Sequence, residues 1–331
     1  MNRRKLARVV AVTAMLALGA AGPEAVDRDA VVRTLAAQDT AVTAVGNRLQ
    51  VAVAPWCAAR GAATGMTVQA ISQFGRDYRA AARRLFAMDD RPVVFAVVPG
   101  GPAARAGLAP GDTLLAIDGA PTRTVRGDGA ATVADSDAAA DLLDQAMADG
   151  RAVLTIARGG KQEARTVEGL PACRARFEVR AGSDTNASAD AGRIQVSSDL
   201  VDPDRADQDL APLLAHELSH IILRHPETLA RSYRGLLPGF GKGGAAIRAS
   251  EVAADRLSLY VLDRAGYRPE DAVAFWTRFL RAKDLGILSD RTHPGWKTRV
   301  AALTTELARI NDLKAAGRPV EPPADLFTPS R

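Results

Sequence analysis

Apolar residues recur at helical spacing from Arg28 to Leu49, the pattern of a helix with one buried face. The stretch APWCAARGAATG interrupts that pattern, and strand and turn signals then take over. PVVFAVV (Pro92 to Val98) is a β-branched run that PGGP ends, and AARAGL is a single helical turn that Gly107 stops. GDTLLAIDG reads as a strand closing on an Asp118-Gly119 turn, and DSDAAADLLDQAMADG as a capped helix with Gly150 past its end. RAVLTIARGGKQEARTVEG reads as a hairpin about Gly159-Gly160. FEVR and RIQVSSDLV are two more strands, with AGSDTNASADAG as the loop between them. After Val201 the chain is helical nearly to the proline-containing tail beyond Gly317. The pattern is that of an α+β chain, mostly helical toward its C-terminus, with a strand-rich domain inserted ahead of the helices.

Composition adds two corrections to this picture. With 47% apolar and 24% charged residues over 331 positions, the chain is globular rather than disordered. The opening MNRRKLARVVAVTAMLALGAAG places Arg3, Arg4, Lys5 and Arg8 ahead of an apolar run that reaches about Ala21. That is the layout of a secretory signal peptide, with Gly19 and Ala21 as the small residues at a cleavage site. The leader holds four of the five net positive charges, so the mature chain is left at +1 and nucleic-acid binding loses its support. The apolar run is shorter than the ~20 residues of a comfortable membrane span, so a cleaved leader is favoured over an anchor. The expected location is periplasmic or secreted, with no integral span in the mature chain. In that setting the two cysteines, Cys57 and Cys173, favour a disulfide over two buried thiols.

Candidate chemistry is concentrated in LAHELSHIILRH, Leu214 to His225, which holds three of the four histidines. Asp207 or Asp209 is placed to cap this helix, Pro212 is tolerated in its first turn, and Pro226 is placed to end it. His216 and His220 lie about 40° apart on one face, within reach of one metal ion. Zinc would acidify a water toward a pKa of ~7, and Glu217 is placed to deprotonate it as general base. His225 lies about 140° from His220 on a continuous helix and reads as a cation near the helix end. A catalytic zinc wants a third protein ligand. Glu251 and Asp255, four apart on a later apolar helix, supply the candidates: Glu251 as ligand by its reach, Asp255 as a group that orients a ligand histidine. The alternative for these two is a solvated face paired with Arg248 and Arg256. LLPGFGKGGAA reads as a flexible loop at the cleft.

Two resemblances extend this reading. VVFAVVPGGPAARAGLAPGDTLLAIDGAPT, Val93 to Thr122, resembles the central signature of a PDZ domain of the bacterial protease type, with Gly101 where serine is common. The resemblance covers roughly Gly61 to Glu168 and implies a β-sandwich or barrel that binds an extended peptide at a sheet edge. QFGRDYRAAARRLFAMDD separates its first two strands and leaves the carboxylate-binding loop unplaced; a purely structural insertion is the alternative. HELSH, EVAAD, LDRAGYRPEDAVAFW and THPGWKTRV, in that order, resemble the glutamate-type zincin metallopeptidases, specifically the CAAX prenyl protease and BepA-type family. This resemblance covers about Phe177 to Leu313. It implies His216, His220 and Glu251 as zinc ligands, Glu217 as base, and His293 and Arg299 at the site as candidate oxyanion stabilisers. His293 can also occlude the metal in such proteins. The interval between His220 and Glu251 is shorter than in many relatives, and the membrane-embedded helices of the prenyl proteases are missing, which counts against a prenyl substrate.

The expected organisation is a signal peptide (1–21), an N-terminal helical segment (22–60), a PDZ-like domain (61–168), a mostly helical zincin-like metallopeptidase domain (174–317) and a C-terminal tail (318–331). The expected function is an exported zinc metalloendopeptidase, one Zn2+ per chain, acting on unfolded or misassembled envelope polypeptides that the PDZ-like domain helps select. A non-hydrolytic quality-control scaffold with a latent or structural zinc is the competing class, and a zinc hydrolase of a non-peptide substrate is a third.

Overall fold

In the computed structural model the described residues are 26–125, 129–182, 186–190, 192–232, 241–282 and 294–327. The leader expected at 1–21 lies outside them, as does His293. Helix α1 (Arg28–Ala52) is started by Asp27, whose carboxylate accepts from the amides of Asp29 and Ala30. It is longer than the sequence pattern predicts and acts as a spine with two ends. Val32 belongs to a cluster with Ile71, Phe74 and Phe95. Val42, Val45 and Leu49 join the large core formed with the C-terminal helices.

The strand-rich region follows α1. Strands β1 (Arg60–Ala63), β2 (Met66–Gln69), β3 (Val93–Val97), β4 (Thr113–Ile117) and β5 (Ala120–Pro121) are interrupted by helices α2 (Arg76–Phe86) and α3 (Pro102–Arg105). Helix α4 (Ala134–Ala146) then leads into β6 (Arg151–Arg158), β7 (Lys161–Glu168) and β8 (Leu170–Cys173). An antiparallel sheet runs β2-β3-β4-β6-β7, with β5 paired to β4. Both tight turns have positive φ at their two central residues, Asp118 and Gly119 in one, Gly159 and Gly160 in the other. That geometry matches the right-handed twist of the flanking strands, which is why Asp-Gly and Gly-Gly stand there. Helix α4 departs from its expected cap, since no side chain caps its start; the Asp135 carboxylate instead accepts from Ser72.

Strand β1 pairs antiparallel with β8, so the chain enters and leaves this region through a two-stranded neck. The Cys57–Cys173 disulfide closes the neck, with Cα atoms 5.5 Å apart. Beyond it, β9 (Arg176–Arg180), β10 (Ala187–Asp190) and β11 (Arg193–Ser197) form a small sheet in the order β10-β11-β9. Part of the stretch expected to be loop is therefore strand β10, which pairs antiparallel with β11. Among the described residues, five α-helices follow: α5 (Ala211–Ile222), α6 (His225–Ser232), α7 (Gly241–Arg264), α8 (Pro269–Ala282) and α9 (Trp296–Ala315). The expected cleft loop is half corrected, because Gly241 onward is already α7, while 233–240 lie outside the described residues. No helix among the described residues is long and apolar enough to cross a membrane.

The two regions are docked through polar groups. On α4, Asp137 pairs with Arg193, and Asp141 and Asp144 both pair with Arg176. Asp39, buried on α1, accepts from the Val179 amide of β9 at 3.0 Å and from Gln69 Nε2 of β2 at 2.5 Å. One carboxylate thus ties the spine to an edge strand of each sheet. Phe177 of β9 packs on Gly46 of α1, where any β-carbon would lie 2.3 Å from the ring. Between β2, α4, α1 and β9 remains a slot of 110 Å³ with a mixed polar and apolar lining.

Converting both cysteines to serine opens a closure of 116 residues in sequence and is expected to lower the unfolding free energy by up to about 4–5 kcal/mol in denaturant titrations. Burial, reinforced by the charge of Glu178, raises the Asp39 carboxyl from 3.8 to about 7 against the hydrogen bond from Val179. An acid with a folded pKa above its unfolded one binds its proton more tightly when folded, so stability falls as pH rises from about 4 to about 7 and then levels. Melting curves between pH 5 and 8 should show a shallower fall for Asp39→Asn than for the parent chain.

Candidate metal centre

Helix α5 is buried on nearly every side, with Leu213, Leu214, Leu218 and Ile222 in the core. Such a helix contributes polar side chains only at a desolvation cost, which burial in pairs can offset. Its start differs from expectation: neither Asp207 nor Asp209 caps it. A wide turn over 206–210 feeds directly into Ala211, and Asp209 bridges Arg205 and Arg278 instead. Pro226 does not end it either. The helix stops at Ile222, Arg224 takes a left-handed φ of 56°, and Pro226 lies in the first turn of α6.

His216 and His220 face Glu251 of α7. Their Nε2 atoms are 3.2 Å apart, and each is 3.5 Å from a Glu251 carboxylate oxygen. The three donor atoms all lie within 4.8 Å of one another. Donors at ~2.0–2.1 Å from a tetrahedral zinc stand roughly 3.3–3.4 Å from each other, close to the 3.2 Å between the two Nε2 atoms, while the two 3.5 Å contacts reach different oxygens of Glu251. Two nitrogens and a carboxylate also fit zinc by donor type and leave a fourth position for chemistry.

Around these donors the structure assembles a tight support. Asp255, with no exposed surface, lies 3.0 Å from His216 Nδ1, in contact but short of hydrogen-bond alignment. Arg299 of α9 donates to both Asp255 oxygens, at 2.7 and 2.6 Å, and its third nitrogen is 3.4 Å from Glu251. Trp276 of α8 packs between them, its ring 5.0 Å from His216 and 4.9 Å from the Arg299 guanidinium. Arg256, a possible partner of Glu251 and Asp255 on sequence grounds, points elsewhere and donates to Glu306 and Asp325.

The electrostatics follow from burial working against these pairs. Burial alone would protonate Glu251 and Asp255, but His216 and Arg299 hold both well below the carboxylate range. Burial disfavours a charged His216, yet Asp255 and Glu251 outweigh it and push the ring up to about 9. Burial and the His216 charge take His220 down to about 3. Glu217, buried with no comparable compensation, is pushed up to about 7. His225 overturns its expected role as a terminal cation: burial lowers it to about 4, and its Nδ1 lies 3.0 Å from His220 Nδ1.

The structure therefore gathers His216, Glu217, His220, Glu251, Asp255 and Arg299 at one place. Sequence reasoning missed Trp276 as a wall of the site, although its position on the apolar face of α8 carried a signal. It missed the approach of His225 because nothing local marks Arg224 as a left-handed residue.

Residues 93–158 match the PDZ domain family. The chain is also 25% identical over 171 residues to the mitochondrial metalloendopeptidase OMA1 of Saccharomyces cerevisiae (strain ATCC 204508 / S288c), a likeness covering 42% of this chain and 49% of that protein. The chain thus spans about half the length of the curated relative it matches. The protein is a mixed α/β chain with a PDZ domain, and this weaker likeness links it to metallopeptidases.

Proposed function

We propose that the protein is an exported zinc metalloendopeptidase. The observation that carries the reading is the His216, His220 and Glu251 triangle, with the buried carboxylate of Glu217 next in sequence to its first member. Zinc, when bound by these three, supplies a Lewis acid that acidifies water and polarises a peptide carbonyl. Glu217 takes the proton of the attacking water on its carboxylate and returns it to the leaving amine nitrogen. A carboxyl raised to about 7 by burial suits that exchange near neutral pH. Asp255 holds His216 from behind. Arg299 holds Asp255 and Glu251, so its place in the reaction is positioning rather than donation to an oxyanion.

Substrates are unfolded or misassembled envelope polypeptides. The slot between β2 and α4 supports this, because β2 is an edge strand and can take an extended peptide as a further strand. The disulfide supports an oxidising compartment. A non-hydrolytic PDZ scaffold is the second reading, favoured by the PDZ domain taken alone.

Cleavage of an unfolded test polypeptide separates them. Glu217→Gln is expected to lose about 10²- to 10⁴-fold in kcat while still binding one zinc. Unchanged cleavage by that variant, or a wild-type chain that binds zinc and cuts nothing, would support the scaffold. Arg299→Ala is expected to lower stability by ~3–5 kcal/mol, since it strands a buried carboxylate, and to weaken zinc binding with it. A fall in kcat with melting temperature and zinc affinity intact would instead make Arg299 an oxyanion donor.

A further inference from the structure

We propose that His225 is a positioning residue for His220: it accepts the Nδ1 proton of that imidazole and thereby keeps Nε2 unprotonated and turned toward His216 and Glu251. The inference rests on the reading of His220 as a metal ligand.

A neutral imidazole carries one proton, on one nitrogen or the other. His220 Nε2 is the atom that faces the other two donors, 3.2 Å from His216 Nε2 and 3.5 Å from Glu251. To offer a lone pair there, the ring must carry its proton on Nδ1. That nitrogen lies 3.0 Å from His225 Nδ1, with the rings 4.9 Å apart and 72° to each other. A contact of this length between two ring nitrogens is satisfied by a single proton. If His220 supplies it, His225 is the acceptor and keeps its own proton on Nε2. The reverse assignment puts the His220 proton on Nε2, between the two ligand rings, and closes the site to a metal. One hydrogen bond therefore selects between a competent tautomer and an incompetent one.

The backbone is built to make this contact. On an unbroken α5, residue 225 would project about 140° away from His220. The helix instead ends in a tight turn, with the Arg224 amide donating to Ile221 O at 3.1 Å and Arg224 itself left-handed. A β-carbon disfavours that region, so the turn is held by its surroundings. The Thr228 hydroxyl donates to the carbonyls of Arg224 and His225, at 3.0 and 3.1 Å, and fixes the start of α6. The result folds His225 back over the face that periodicity would have it leave. The two ligand histidines thus have different supports: a carboxylate behind His216 and a neutral imidazole behind His220.

The test is zinc affinity of the full chain, stripped of metal and titrated in competition with a chromophoric chelator. His225→Leu fills the same space without an acceptor and is expected to bind zinc about 10- to 100-fold more weakly, the usual loss when a ligand histidine loses its partner. His225→Asn places an amide oxygen where the ring nitrogen stood and is expected to restore affinity to within a few-fold. A role in packing alone predicts the opposite order, with leucine the better substitute. Equal zinc affinity for wild type and His225→Leu overturns the proposal while leaving the metal site standing. A wild-type chain that binds no zinc overturns the site reading, and this role with it.

Discussion

The forked contact between Arg299 and Asp255 is what the candidate centre depends on. Asp255 has no exposed surface and Arg299 very little, so either charge left there alone would be strongly destabilising. Together they let a carboxylate stay ionised behind His216, and the remaining guanidinium nitrogen steadies Glu251. Because these four residues come from α5, α7 and α9, the same set of contacts fixes the relative positions of three helices. About two turns farther along α9, a second tie to α7 repeats the arrangement, with Arg256 and Tyr260 both donating to buried Glu306. Side chains that share one metal must be held to a fraction of an ångström, and paired charges on rigid helices provide that more firmly than loops do.

The PDZ domain is joined to this centre by more than a tether. Helix α1 runs through both regions, the neck is closed covalently, and three aspartates of α4 meet two arginines of the small sheet. The slot at the β2 edge is consequently walled on one side by α1 and β9 rather than by open solvent. Asp39 lies at that wall, bonded at once to Gln69 of the edge strand and to the backbone of β9. A peptide adding to β2 would meet groups that also support the sheet leading into α5, so binding at the edge and order near the centre share one set of contacts.

Much of the centre was legible in the sequence because its rules are local. The four-residue interval of His216 and His220, the same interval of Glu251 and Asp255, and the apolar faces around them required only helical geometry. The Asp118-Gly119 and Gly159-Gly160 turns were legible because left-handed backbone selects for those residue types. What failed was what tertiary structure overrides. Arg224 gives no sign of its positive φ, so helical periodicity alone places His225 on the wrong side of the helix. Strand β10 is rich in small and polar residues and exists because β11 offers it a partner. The wide turn before α5 made the aspartate caps unnecessary. Nor does any periodicity reveal that a buried aspartate on α1 would serve two sheets.

Whether one zinc ion sits among His216, His220 and Glu251 is tested most directly by anomalous diffraction at the zinc edge from crystals of the zinc-loaded protein. A single strong peak is expected, with His216 Nε2, His220 Nε2 and a Glu251 oxygen at ~2.0–2.2 Å from it. A peak bound by other residues, or none at that triangle in a zinc-loaded crystal, would contradict this assignment.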